Sequence, residues 1–177
     1  MRVLLIRHGP WAWQPATNEA DFPLAPQTKA LARTVRRAIR RAGLRPDAYL
    51  TSRWRHARDT AIILRGRDAD AALVDVIGLT PKTAERRFTW RGILDEAVAQ
   101  GVHITDASTL AFVGHEPRLR QLCTRVARVD VAEIERLEVV VVHATSLKAL
   151  LGRHAQVERR ILVRPLRRRN AKPATAR

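Results

Sequence analysis

Cysteine is nearly missing from this chain: one residue in 177, Cys123. A lone thiol excludes an internal disulfide framework and fits a reducing cytoplasm. Its setting, LRQLCTRVA, makes it an ordinary helix-packing residue. Long apolar runs are missing too. None exceeds VVVV at 139–142, so nothing here is expected to span a bilayer. The opening MRVLLIRHG has one Arg before four apolar residues and then charge, which is not a signal-peptide pattern. Acid is scarce: 17 Asp and Glu stand against 33 Lys and Arg, a net charge of +16. Such a surface attracts polyanions, from nucleic acid and anionic lipid to polyphosphate or a phosphorylated partner. The nucleic-acid reading has no further support. There is no zinc-ligand spacing, RNA-binding aromatic motif or coiled-coil heptad, and the four Trp are not interleaved with the arginines.

What remains is a globular composition, 46% apolar, of a length that suits one domain. That domain is expected over 1–169, followed by a basic, disordered tail at 170–177. Strand-like runs occur at 2–6, 47–52, 71–77, 109–114, 137–142 and 159–165. Helices are expected over about 26–42, about 53–65, part of 82–100 and about 116–127. In the first of these, Leu31, Val35, Ala38, Ile39 and Ala42 share one face, while Arg33, Arg36, Arg37, Arg40 and Arg41 face solvent. Strands alternating with helices predict an α/β fold: a three-layer sandwich with a mostly parallel central sheet and helices on both faces. The direction of the last strand stays open.

In such sheets a ligand sits beyond the carboxyl ends of the strands. There the sequence places Arg7-His8-Gly9, Ser52-Arg53 and Gly114-His115-Glu116, three strand ends that can meet over one pocket. LLIRHG and FVGHEP resemble the two histidine motifs of the histidine phosphatase (phosphoglycerate mutase-like) superfamily. DFPLAPQTKALA resembles that family's Asp-x-Pro-Leu-Thr segment, with Thr28 where Gly is common, and TSRWRHARDTA resembles its Ser-x-x-x-Arg-Ala-x-x-Thr-Ala segment. GLTP at 78–81 resembles the Leu-Thr-Pro of the short SixA-type phosphohistidine phosphatases.

The resemblance implies that His8 is a nucleophile that becomes a transient phosphohistidine. It implies that Arg7 and an imidazolium at His115 hold phosphate oxygens, and that Gly9 lets the backbone approach the ligand. Phosphoryl transfer asks for little beyond such positioning and charge. No cofactor and no metal are expected. His103, His143 and His154 match neither a ligand spacing nor a family position, and Trp11 and Trp13 either wall the pocket or anchor its loop.

Two departures stand out. The family's second phosphate-gripping arginine is His56 here, which lacks the bidentate fork. Arg53, three residues earlier on the same helical face, is the preferred substitute, with Arg55 second and Arg58 turned to solvent. The family's proton donor near Leu-Thr-Pro falls on Gly78; the nearest acids are Asp75, within the expected strand, and Glu85, which is the candidate acid. An alkoxide leaves poorly without an acid, whereas a protonated phosphohistidine leaves readily. The expected function is a small phosphatase acting on a phosphohistidine protein or another phosphorylated ligand. The alternatives are a degenerate member that binds phosphate or a phosphorylated partner, and a polyanion binder working through its basic surface.

Overall fold

β1 (Arg2–Arg7) needs a cover on both sides, because Val3, Leu4, Leu5 and Ile6 alternate in direction and all four are buried. The computed structural model, which describes residues 1–81 and 88–163, supplies both covers. Five more strands complete the sheet: β2 (Ala48–Thr51), β3 (Ala72–Asp75), β4 (Thr109–Gly114), β5 (Val139–His143) and β6 (Gln156–Ile161). Their order is β3-β2-β4-β1-β5-β6. The first four in that order are mutually parallel, β5 runs against β1, and β6 runs against β5. The last strand therefore points along β1, and only β5 is reversed.

Helices α1 (Pro26–Arg41) and α2 (Arg55–Arg65) pack on the face that carries Leu4, Ile6, Ala111 and Val139. The opposite face carries Val3, Leu5, Phe112 and Val140, under α3 (Trp90–Ala99), α4 (Arg118–Ala127) and the short α5 (Leu147–Leu151). This is the three-layer α/β sandwich that the alternation of elements implied. On α1, Ala32, Val35 and Ile39 are buried and Arg33, Arg37, Arg40 and Arg41 are exposed, as the spacing required. Arg36 differs: it lies over Gly66 and donates to the Ile63 carbonyl (3.4 Å), joining α1 to α2.

The last strand starts earlier than the apolar pattern suggested, at Gln156 rather than about 159. Ser146 caps α5 by accepting from the Ala149 N–H (3.0 Å), and Arg153 turns the chain at a left-handed φ of 63°. An edge strand takes polar residues on its open side, so the apolar Ile161-Leu162-Val163 marks its end and not its middle. Arg160 on this strand forks onto the buried Glu138 carboxylate at 2.5 and 2.9 Å, tying β6 to the segment before β5.

The connection after β1 runs over one face through α1, and the connection after β4 runs over the other through α4. The crevice between β1 and β4 is thus the topological switch point where α/β sheets bind ligands. Register places it sharply: Arg7 lies opposite Gly114, and Thr51 opposite Val113. The residues that follow, Ser52, His8 and His115, therefore emerge at one level.

Phe112 lies at the centre of that sheet, fully buried and 5.3 Å from the Trp90 ring. Phe112→Ala should cost about 3–5 kcal/mol in urea unfolding. A loss under about 1 kcal/mol would mean the two layers are not joined through this ring.

Candidate active site

His8 is the first residue past β1 and is 5% exposed. Its backbone N–H donates to the Gly114 carbonyl (3.0 Å), which continues the β1–β4 ladder by one rung. Its side-chain Nδ1 lies 2.8 Å from the Gly9 carbonyl. A carbonyl only accepts, so Nδ1 carries the proton and Nε2 carries the lone pair. His115, past the end of β4, sets Nε2 3.0 Å from Ser52 Oγ, past the end of β2. The same hydroxyl accepts from the Trp54 N–H (3.2 Å) and donates to Thr80 Oγ1 (3.4 Å). His56, in the first turn of α2, completes the group. Its ring centroid is 4.3 Å from that of His8 and 5.3 Å from that of His115.

These three histidines, with Arg7, Trp11, Glu19, Trp54, Pro81, Glu116 and Arg136, line a cleft of about 250 Å³. Burial dominates the electrostatics. It pushes the pKa of His8 down to about 2, with help from His115 and His56, that of His115 to about 3, and that of His56 to about 4. All three rings are therefore neutral near pH 7 in the free protein. For His8 that is the state a nucleophile needs. For His115 it corrects the expectation of a standing imidazolium: burial and nearby Arg7 and Arg136 hold the ring neutral until an anion arrives.

Two guanidiniums reach the cleft. Arg7 is anchored to Glu133 (2.6 Å) and to the Ile134 carbonyl (3.0 Å), while its Nε is buried with no hydrogen-bond partner. Arg136 comes from the segment before β5. Its neighbour Leu137 donates its N–H to the Arg7 carbonyl (3.0 Å) from a left-handed φ of 62°, uncommon for a bulky apolar residue. Arg136 and Arg7 are close enough for the charge of Arg7, after burial, to lower the pKa of Arg136.

The substitutes expected from α2 lie elsewhere. Arg53 is exposed and does not line the cleft; its backbone N–H donates to Thr80 Oγ1 (3.2 Å). Arg55 faces Asp59 (3.9 Å) and Arg58 faces Asp75 (3.6 Å). The helix begins at Arg55, with Trp54 at its N-cap, so Arg53 sits outside it and helical spacing does not apply. Arg136 was missed because β5 was not recognised as the one antiparallel strand. Its reversal brings the residues before it to the carboxyl end of β1.

Gly9 also departs from expectation. Its N–H donates to Thr60 Oγ1 (3.1 Å) and its carbonyl accepts from His8, so neither backbone group is free for a ligand. A Cβ at Gly9 would lie 2.2 Å from Thr28 Cγ2, so this glycine makes room for α1.

The candidate acid Glu85 lies outside the described residues. A carboxyl that the sequence reading passed over, Glu116, lines the cleft next to His115. Its Oε1 accepts from the Ile134 N–H (3.1 Å), Oε2 is buried without a hydrogen-bond partner, and burial raises its pKa. Adjacency to His115 was the available signal. Trp11 and Trp54 wall the cleft, whereas Trp13 is exposed. His103, His143 and His154 are exposed and away from it.

The family model described as "Histidine phosphatase superfamily (branch 1)" matches residues 3–165. Comparison with curated proteins returns no match. Among solved structures, the protein histidine phosphatase SixA complexed with tungstate is 15% identical with a TM-score of 0.70, over 91% of this chain and 96% of that one. A protein from Agrobacterium tumefaciens that carries the phosphohistidine phosphatase SixA name is 17% identical with a TM-score of 0.70, over 92% and 97%. Mycobacterial glucosyl-3-phosphoglycerate phosphatase Rv2419c is 14% identical with a TM-score of 0.57, over 80% and 89%. At these identities the likeness is one of fold.

Gly9→Ala should destabilise the protein by about 1–3 kcal/mol through overpacking. Adding Thr28→Ser, which removes Cγ2 and keeps the hydroxyl bonded to the Pro10 carbonyl (2.9 Å), should recover most of the loss in a thermal melt. Failure of the double variant to recover would place the strain elsewhere. The buried histidines also predict acid lability. Each folded-state pKa lies below the ordinary 6.5, so the unfolded chain takes up protons first as pH falls. Stability should hold above about pH 6.5 and drop below it by up to about 1.4 kcal/mol per pH unit for each histidine. His56→Phe should flatten that slope in urea titrations run from pH 7 to 5.

Proposed function

Because the chain belongs to the histidine phosphatase superfamily, we propose that it is a phosphatase working through a transient phosphohistidine on His8, with a phosphohistidine protein as its preferred substrate. The observation that carries this reading is the fixed tautomer of His8, which holds a neutral, lone-pair-bearing Nε2 in a cleft lined by Arg7 and Arg136. A reducing, cytoplasmic setting suits the single buried Cys123.

The incoming phosphoryl group rests its oxygens on the two guanidiniums, whose planar forks match phosphate geometry. Its negative charge favours protonation of His115, which then becomes a further charged donor. Nε2 of His8 attacks phosphorus. The P–N bond forms as the bond to the leaving atom breaks in line, and that atom takes its proton from Glu116, whose raised pKa keeps it protonated more often than a free glutamate. Water then attacks the phosphohistidine. A P–O bond forms, the P–N pair returns to His8, the water's proton goes to Glu116, and inorganic phosphate leaves. His56 contributes one uncharged N–H where a guanidinium would contribute a charged fork, so turnover is slower than the fold permits. The excess of arginine over the molecule favours an acidic protein as the carrier of the phosphoryl group.

Phosphate release should be measured from a phosphohistidine protein and from p-nitrophenyl phosphate. His8→Ala should abolish both activities. His56→Arg should raise kcat/KM, and Arg136→Ala should lower it by about tenfold or more. Glu116→Gln should slow an alkyl ester more than a phosphoramidate, whose leaving nitrogen departs readily. Phosphate binding with no His8-dependent turnover on any substrate would make the protein a binder and end the enzymatic reading.

A further inference from the structure

His8, His56 and His115 come from three elements and are each at least nine-tenths buried, and each can offer one ring nitrogen to a common point. The three nitrogens lie within 4.8 Å of one another. We propose that these histidines form a site for a divalent transition-metal cation of the zinc type, and that the bound metal shuts the phosphatase by occupying its nucleophile. The second half rests on the role given to His8 above; the metal site itself does not.

Tetrahedral zinc with Zn–N bonds of about 2.0–2.1 Å separates its nitrogen ligands by about 3.4 Å. Closing from 4.8 Å brings together nitrogens of rings whose centroids are 4.3, 4.7 and 5.3 Å apart. The rings also arrive with their outer shell in place. The Gly9 carbonyl holds Nδ1 of His8 and Ser52 holds Nε2 of His115, which leaves the other nitrogen of each ring for a metal and supplies the kind of second partner that orients metal-bound imidazoles.

His56 is the independent observation. It is 0% exposed, and neither of its ring nitrogens makes a well-formed hydrogen bond, the Phe22 backbone being a weak partner that favours its charged form. A buried polar group left unmet costs about 1–3 kcal/mol, and a cation would meet one of these nitrogens.

A cation here binds against the positive field of Arg136 and Arg7, which Glu133, paired with Arg7 at 2.6 Å, and Glu19 at the same cleft reduce. Three imidazoles with an open fourth position suit zinc, copper or nickel ahead of magnesium or calcium. The departure from the family pattern gains a purpose on this account. An arginine at position 56 would place a positive charge where the metal goes, whereas histidine completes the ligand set.

The test begins with protein stripped by EDTA and titrated with zinc chloride by calorimetry, alongside visible spectroscopy after loading with Co²⁺. Wild type should bind one Zn²⁺ per chain and show the visible bands of tetrahedral, nitrogen-ligated Co²⁺. His56→Arg and His8→Ala should each weaken binding by about 100-fold or more, since even second-shell partners are worth about 10- to 100-fold. The triple variant His103→Ala, His143→Ala, His154→Ala should bind as wild type does. No stoichiometric binding by wild type, unchanged binding by His56→Arg, or loss in the triple variant overturns the site. In parallel, zinc should inhibit phosphate release by wild type, EDTA should reverse it, and His56→Arg should resist it. Activity unchanged or raised by bound zinc overturns the inhibitory half. Absence of activity in the metal-free protein strikes the phosphatase reading alone, because the binding measurements do not depend on turnover.

Discussion

The hydrogen bond from the His8 amide to the Gly114 carbonyl is the rung on which the site depends. It extends the parallel pairing of β1 with β4 one residue past both strands and fixes the level at which the two histidine-bearing turns leave the sheet. A slip of one residue would exchange the two faces of β1, sending Leu4 and Ile6 where Val3 and Leu5 belong. Those faces are buried under different helices, so the core itself forbids the slip. The accuracy of the site is thus a by-product of the apolar pattern in a strand that contributes no chemistry.

The cleft combines a basic surround with uncharged rings, and one cause explains both. Burial removes water from the three imidazoles, His56 and His115 further suppress protonation of His8, and the positive charge stays on guanidiniums that cannot release it. A site built this way is not saturated with protons beforehand. On the two readings proposed above, it receives an anion by charging His115 or donates lone pairs to a cation, and the arriving group decides which. The exchange of a guanidinium for an imidazole at position 56 is what opens the second choice.

Much of this was legible from residues alone, for reasons that differ by element. β1 and β4 declared themselves because fully buried parallel strands are short apolar runs that end abruptly in polar groups. α1 did so because its apolar stripe and its arginines segregate cleanly. The placing of Arg7, His8 and His115 at one cleft was readable because Arg7 ends β1 and the two histidines directly follow β1 and β4. Arg136 was not, because its place depends on β5 running backwards, and strand direction leaves no local trace in VVVV. Arg53 misled because helical spacing was extended two residues before the helix begins. β6 was misplaced because edge strands do not obey the apolar rule that located the others. Gly9 looked like a residue cleared for a ligand and proved to be cleared for Thr28, a distinction that only packing reveals.

Leu137 carries a further consequence. Its left-handed backbone is paid for by its neighbours: the buried side chain and the N–H held by the Arg7 carbonyl over-determine it. Glycine there would relax the conformation and enlarge the freedom of the unfolded chain, and it would also release the segment that presents Arg136. The most comfortable chain for this fold is therefore not the most competent one. Any drift toward robustness at that bend would spread the Arg136 guanidinium over many orientations, and selection for ease of folding and selection for grip on a ligand would pull the same residue in opposite directions.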